Sequence, residues 1–322
     1  PQDDRLEYAL KQAGDNRTEL EKVLNRYRDS DKEKYRAACY LIRNMPFYSS
    51  YEGKELEKYL RYYQAYYANK NIMAAVADSI KRSDGEFSMS LLTKRKDIET
   101  VDSAFLTTHI DWAFKVRREQ PWGRNVTFDD FCEYILPYRM LDEPLSLWRK
   151  KLYEQYNPLL DSLRATSSAD DPLQAAQVVL THMRKQKYMF TSSFPVGPHV
   201  GPDILRWRVG ICRDFVDGLT YVCRALGIPC GSDRIMVWSD TNNGHSWCFT
   251  LDKEGRNYAM NFPYDKYWKP CKEYSPYRKG KVYRTLFQLD EESMKRKQQI
   301  QNLHPTFRSP FFRDVTTIYL NN

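Results

Sequence analysis

The sequence predicts an α+β protein, a helical N-terminal region followed by a region where one helix feeds a set of strands. Residues 1–165 read as one amphipathic helix after another. A sharply patterned helix begins at Cys212 and ends at Gly227, with Pro229 beyond it. Short runs rich in β-branched and aromatic residues follow. That order predicts helices packed apart from a mainly antiparallel sheet. A chain of 322 residues can bury more than one core. The polar stretch TSSADDP (166–172) is the natural boundary, giving a helical domain over 1–165 and a second domain over 166–322.

Asn16 and Glu19 form a capping-box pattern ahead of Leu20, Val23, Leu24 and Tyr27. A second helix carries Tyr35, Cys39 and Ile42 and stops near Pro46. A Tyr-rich helix is predicted from Tyr59 through Val76, and another over 101–119. Thr127 with Asp130 caps a helix through Ile135, and Pro144 opens one through Leu160. Asp171 is an N-cap with Pro172 at the first helical position, and that helix runs to about Lys187. A Pro/Gly-rich loop, 191–203, is long enough to suggest a functional segment and is read as one wall of a cleft. Strands are expected at 233–238, 245–251, 257–262, 281–289 and 315–320. No fixed-period repeat is present, which argues against a solenoid.

Composition narrows the function classes. Fifty Lys and Arg against 42 Asp and Glu leave a charge of +8, with no basic run of six and no basic helical stripe interleaved with aromatics. A nucleic-acid partner is not implied. No apolar run approaches the ~18 residues of a membrane span. The seven cysteines form no CxxC pair, so no zinc ribbon is expected, and their odd number and irregular spacing argue against a disulfide framework. Most read as buried small hydrophobes, with Cys39, Cys132 and Cys223 in amphipathic helical patterns, and Cys212 is the exception. The 24 tyrosines are read first as helix packing and second as an aromatic groove for peptides or glycans. The first residue is Pro1, so the chain is expected to be a mature or trimmed form.

Cys212 opens its helix, where unpaired N–H groups and the helix dipole favour a thiolate and can hold an oxyanion. Gly210 permits close approach just before it. His245 opens a strand and supplies the base that a thiol nucleophile needs. A three-residue turn at Lys253-Glu254-Gly255 would pair Asp252 with Arg256 and set His245 opposite Pro263. Asn261 then lies diagonally across, on the same face as His245. Asp265 shares that parity and is the alternative third member if the register differs.

These residues carry a resemblance. ILRWRVGICRDFVDGLTYVCRALGIPC (204–230) resembles the nucleophile helix of the transglutaminase-like superfamily, in the Gly-x-Cys start at Gly210 and Cys212 and the Arg-Ala-Leu-Gly-Ile-Pro end at 224–229. GHSW (244–247) resembles the family's His-x-Trp strand, and Asn261 stands about where the family has Asp. The gaps are 33 residues from Cys212 to His245 and 16 from there to Asn261. RNMPFYSSY (43–51), FDDFCEYILPYR (128–139), KVYR (281–284) and SPFFRDVT (309–316) resemble exported transglutaminase-like proteins of gut bacteria, many of them surface lipoproteins.

The resemblance implies a papain-like thiol fold in the second domain, with the nucleophile helix packed on an antiparallel sheet. It implies a Cys212–His245–Asn261 triad, no metal or organic cofactor, and an extracytoplasmic address at the periplasm or cell surface, with lipid anchoring and further β-domains in the full-length precursor. Asn can fix the imidazole tautomer but cannot balance an imidazolium with full charge. Trp207 is a candidate oxyanion donor through its indole N–H, and Gln186 and His199 are polar candidates for the cleft. Trp247 is expected beneath the site, and Arg213 and Asp214 on the rim of the helix. The expected activity is cysteine-dependent acyl transfer, chiefly hydrolysis of peptide or other amide bonds in a substrate that could be cell-wall or glycan-linked. Two other readings are a catalytically silent scaffold that binds peptides or glycans, and carbohydrate recognition by the Tyr-rich helices.

Overall fold

A computed structural model of the chain describes residues 3–69, 73–237, 243–274, 280–300, 302 and 309–320. It is 55% helical and 13% strand with an antiparallel sheet, so the class is α+β with helix dominant.

The first three helices are α1 (Asp4–Gln12), α2 (Arg17–Arg28) and α3 (Lys32–Asn44). Asp3 and Asp31 cap α1 and α3 by accepting the N–H groups of Leu6 and Lys34. Their apolar stripes, including Leu10, Leu20, Val23, Leu24, Leu41 and Ile42, are buried. The expected capping box at Asn16 and Glu19 does not form. Asn16 Nδ2 instead donates to the carbonyls of Ile98 and Val101, and Glu19 accepts from the N–H and hydroxyl of Ser103. Both side chains are spent on a distant loop, where four bonds outweigh one local cap.

Strand β1 (Ser49–Glu52) leads into α4 (Lys54–Asn69) and α5 (Met73–Asp84), two helices where one was expected from Tyr59 through Val76. Tyr59, Tyr62 and Tyr63 on α4 are buried, so this part of the tyrosine surplus is packing. Strand β2 (Thr93–Lys96) pairs antiparallel with β1, followed by α6 (Asp97–Thr100) and α7 (Ser103–Glu119). Helix α8 (Phe128–Tyr134) has its Thr127 cap. Helix α9 (Trp148–Tyr156) begins four residues after Pro144, and α10 is a single turn (Asp161–Arg164). Helix α11 (Pro172–Met183) starts at Pro172 under the Asp171 cap and ends short of Lys187.

Two-residue strands β3 (Met189–Phe190) and β4 (Val209–Gly210) pair in parallel and bracket the short α12 (Ile204–Trp207). Helix α13 (Cys212–Ala225) ends where the sequence predicts, with Gly227 at φ 74° and the Ile228 N–H bonded to the Cys223 carbonyl. Then come β5 (Cys230–Ile235), β6 (His245–Leu251), β7 (Asn257–Met260), β8 (Lys269–Pro270), β9 (Val282–Thr285), α14 (Glu291–Gln298) and β10 (Phe312–Asp314). These six strands form one antiparallel sheet in the order β10-β9-β5-β6-β7-β8. The expected strand at 315–320 is instead a 3-10 turn, Thr316–Tyr319, because Tyr319 turns inward to donate to Asp233 and to accept from the Trp247 indole. Part of the expected 233–238 strand, residue 238, lies outside the described residues.

The compact units are not contiguous in sequence. One comprises Pro1–Asp111, Tyr138–Trp148 and Gln186–Gly218, and the other Trp112–Pro137, Arg149–Lys185 and Leu219–Asn322. The sequence boundary at 165/166 follows a polar linker; the contacts follow packing, and α7 and α13 each contribute to both units. In the second unit the carboxyl-terminal half of α13 packs on β5, with Thr220 against Cys230 and Arg224 Nε donating to the Cys230 carbonyl. No helix among the described residues is long and apolar enough to cross a membrane.

Candidate functional site

Cys212 is the first residue of α13, and the chain enters through β4. Arg208, just before β4, takes a left-handed backbone (φ 53°), a sharp reversal that sets the path into the helix. Asp214 reaches back to accept the Ile211 N–H at 2.9 Å, closing the first turn. Of the seven cysteines only Cys212 is partly exposed; the other six are buried. Burial pushes the Cys39 thiol up and Cys271 up to about 12, so neither forms a thiolate at neutral pH. Gly210 has a specific reason to be glycine. A Cβ there would lie 2.5 Å from Asp214 Oδ2 and 3.0 Å from its Cβ. Gly210→Ala should cost about 1–3 kcal/mol by forcing a buried carboxyl aside. Urea melts would show it, with Gly218→Ala, whose nearest contact is 3.1 Å from a flexible Ile204 methyl, as the milder comparison.

Arg213 and Asp214 were expected on the rim. The link between them exists at 3.5 Å, but Asp214 is fully buried and Arg213 largely so. The loop 191–203 is mostly buried too, and its polar groups explain why. Arg213 donates to the carbonyls of Gly197 and Pro198, the latter at 3.0 Å, and Tyr59 donates to Pro198 at 3.1 Å. Phe194 packs against Tyr62 and Tyr63. Most of the loop is thus a packed layer against the start of α13, with only tips such as Val196 exposed.

His199 is buried in this layer, its Nδ1 bonded to Asp217 and its N–H to Asp142, so it anchors the loop to α13 and does not face solvent. Burial lowers its pKa, the Asp217 carboxylate raises it, and the net direction is upward. A raised folded pKa gives stability that is full below the unfolded value of about 6.5 and lost as pH rises through the folded value. Unfolding free energy should therefore decline across that window, and Asp217→Asn should flatten the decline; urea titrations from pH 5.5 to 8.5 check it.

Trp207 is buried and stacked on Tyr63, with ring centroids 5.3 Å apart, and its indole N–H finds no partner among the described residues. Gln186 is half-buried, and its Oε1 accepts from the Tyr188 hydroxyl at 3.3 Å.

His245 and Asn261 lie in the second unit. The β6–β7 turn is the predicted one, with Asp252 N–H bonded to the Arg256 carbonyl at 3.0 Å and Gly255 at φ 77°. The ladder pairs Leu251 with Asn257 and Cys248 with Met260, the register that sets Asn261 diagonally from His245. The two side chains are hydrogen-bonded. Asp265 has another task. Its Oδ2 accepts the Asn261 N–H at 2.8 Å, while the Asn261 carbonyl accepts from Tyr264 and Asp265 at 2.8 and 2.9 Å. The carboxylate thus fixes the backbone of the residue that orients the ring. Burial lowers the His245 pKa and the Asn261 bond opposes this only in part, so the imidazole is neutral at pH 7. Trp247 is buried one pleat along, its ring 6.1 Å from His245.

Cys212 belongs to the first unit, and the imidazole–amide pair to the second. A partly exposed thiol at a helix start and an oriented neutral imidazole are the two parts that thiol acyl transfer requires. Among the described residues no group of three His, Cys, Asp or Glu is placed to hold a metal ion. The buried set Arg213, Asp214, Asp217 and His199 was missed as a network. Its signal was two aspartates and an arginine gathered in the first six residues of α13, ahead of a largely apolar remainder. No family model, curated protein or solved structure matches the chain.

Proposed function

We propose that this protein is a cysteine-dependent acyl-transfer enzyme of the transglutaminase-like type, hydrolysing peptide or other amide bonds through a thioester on Cys212. The observation that carries the reading is the His245–Asn261 hydrogen bond, formed in the register set by the Lys253–Gly255 turn. An amide bonded to imidazole at the head of a strand fixes tautomer and ring plane, which a merely structural surface histidine does not need.

In this mechanism His245 takes the Cys212 proton as Sγ attacks the amide carbonyl carbon. The resulting oxyanion is held by first-turn N–H groups of α13, with the unpartnered Trp207 indole as a further donor. The C–N bond breaks as the imidazolium gives its proton to the leaving amine, and a thioester remains. Water, deprotonated by His245, then attacks the thioester and releases the acid and the thiol. A depressed imidazole pKa suits both roles, since the ring is free to accept a proton at pH 7 and readily gives it up once charged. We favour hydrolysis; cross-linking would further require a site that shields the thioester from water and admits a lysine.

An activated ester tests this without knowledge of the substrate. p-Nitrophenyl acetate should give a burst of about one nitrophenolate per chain, with the acetyl group found on Cys212 by peptide mass mapping. The reading fails if acetyl is spread over lysines, or if the burst survives in Cys212→Ser.

A further inference from the structure

The turn that carries Asn261 also builds an exposed surface that the chemistry above leaves unused. Tyr264 and Tyr267 are 58% and 66% exposed, among the most exposed large side chains of the protein, and Lys266 between them and Lys269 just beyond are exposed as well. Two large rings stand exposed on one loop, and the backbone of this loop is fixed. Gln177 Nε2 donates to the Lys266 carbonyl at 3.0 Å, Gln177 Oε1 accepts the Trp268 N–H at 3.3 Å, and Arg184 Nε donates to the Pro263 carbonyl at 3.1 Å. Trp268 is buried beneath, and β8 ties the far end to β7. The backbone is held from three sides while its largest side chains point outward.

Charge gives the surface a sign. The segment 261–274 and the adjoining end of α11 bring Arg184, Lys185, Lys266, Lys269 and Lys272 against only Asp265 and Glu273. Asp265 is committed to the Asn261 N–H. Among the described residues none of the four lysines is ion-paired with a carboxylate, and all four are exposed. Unpaired lysines around exposed tyrosines favour a ligand with carboxylates and flat or apolar groups in alternation.

We infer that Tyr264, Lys266, Tyr267 and Lys269 form the recognition surface for an acidic peptide, the substrate of the acyl-transfer site whose Asn261 stands three residues away. The inference rests on the acyl-transfer reading for the word substrate and on the loop alone for the acidic peptide. A peptide is chosen because the proposed reaction needs an amide, which acidic side chains flank without competing for the thiol. Rigid aromatics lose little entropy on contact, and the lysines steer an anionic chain toward the β7 end.

The test measures binding separately from chemistry. Fluorescence anisotropy of a fluorescein-labelled random copolymer of glutamate and tyrosine is followed with the Cys212→Ala protein, so that nothing turns over. Saturable binding is expected, weakened at least tenfold by Lys266→Glu with Lys269→Glu, similarly by Tyr264→Ala with Tyr267→Ala, and strongly by about 1 M salt, where the screening length falls to about 3 Å. All four side chains are exposed, so the variants should keep the fold, which circular dichroism verifies. Unchanged affinity in both double variants overturns the assignment. So does binding of polygalacturonate in preference to the copolymer, which would give the surface to an acidic carbohydrate. Failure of the Cys212 acylation burst leaves this measurement untouched, and failure here leaves the burst intact, so the two claims fall separately.

Discussion

Replacing His245 by alanine should slow alkylation of Cys212 by iodoacetamide at pH 7 by about tenfold to a hundredfold, while the six buried cysteines stay unreactive in both proteins. The size follows from general-base assistance, worth about 10²–10⁴ in a full reaction and less for a reagent that needs no proton delivered to a leaving group. Without the base, the thiol must ionise unaided near its ordinary value of about 8.5. The native rate should therefore rise with pH in a step below that value, and the variant should keep only the ordinary step. Because His245 is held below its usual pKa by burial, the native step should begin below pH 6.5. Asn261→Asp sharpens the argument. A carboxylate beside the ring would raise the imidazole pKa and stabilise a thiolate–imidazolium pair. Alkylation near neutral pH should increase, and Asn261→Ala should lower it. If His245→Ala leaves the rate profile of Cys212 unchanged, the thiol and the imidazole do not act together and the acyl-transfer reading is lost.

How much of this was legible in the sequence depends on how local the physics is. The Asp171–Pro172 start of α11, the Gly227 end of α13 and the β6–β7 turn all rest on neighbours within a few residues, and each formed as read. The diagonal approach of Asn261 to His245 followed from that one turn, since a three-residue loop closed by a left-handed glycine fixes the register of everything beyond it. The failures have the opposite character. Asn16 and Glu19 offered a local cap, but partners some 80 residues away took both side chains. The 315–320 run has strand composition, yet Tyr319 folds inward because a buried carboxylate waits for its hydroxyl. Arg213 and Asp214 read as a surface pair because charged residues usually are. The loop carbonyls of Gly197 and Pro198, unpredictable from the helix itself, explain why Arg213 is inside, and Asp214 follows with the Ile211 N–H and the guanidinium as partners. Asp265 shows the same limit on a smaller scale: strand parity offered it as an alternative partner for the ring, and the Asn261 backbone N–H claimed its carboxylate.

The largest stability effect should come from Arg284→Met, at about 3–5 kcal/mol. Arg284 and Asp233 face each other across β9 and β5, bonded at 2.8 and 2.9 Å with both side chains buried. The guanidinium also lies over Phe249, its carbon 3.4 Å from the ring centroid, and donates to Asn257 Oδ1 at 2.9 Å. Methionine can replace the apolar contact with Phe249. It cannot answer the carboxylate, which would be left with the Tyr319 hydroxyl and no cation. Most of the cost is therefore the stranded charge, not the lost pair, and this is separable. Asp233→Leu combined with Arg284→Met removes both charges and should recover most of the loss, whereas additive losses would mean that packing, not charge, dominates. Urea midpoints of the two variants decide between these. The pair also bears on the site, since β5 continues from Asp233 to Ile235, which lies opposite His245 in the ladder. A weakened β5–β9 seam should loosen the strand that backs the imidazole. In Arg284→Met the His245 ring resonances should broaden and their titration should move back toward 6.5, as solvent reaches a ring that burial now holds neutral.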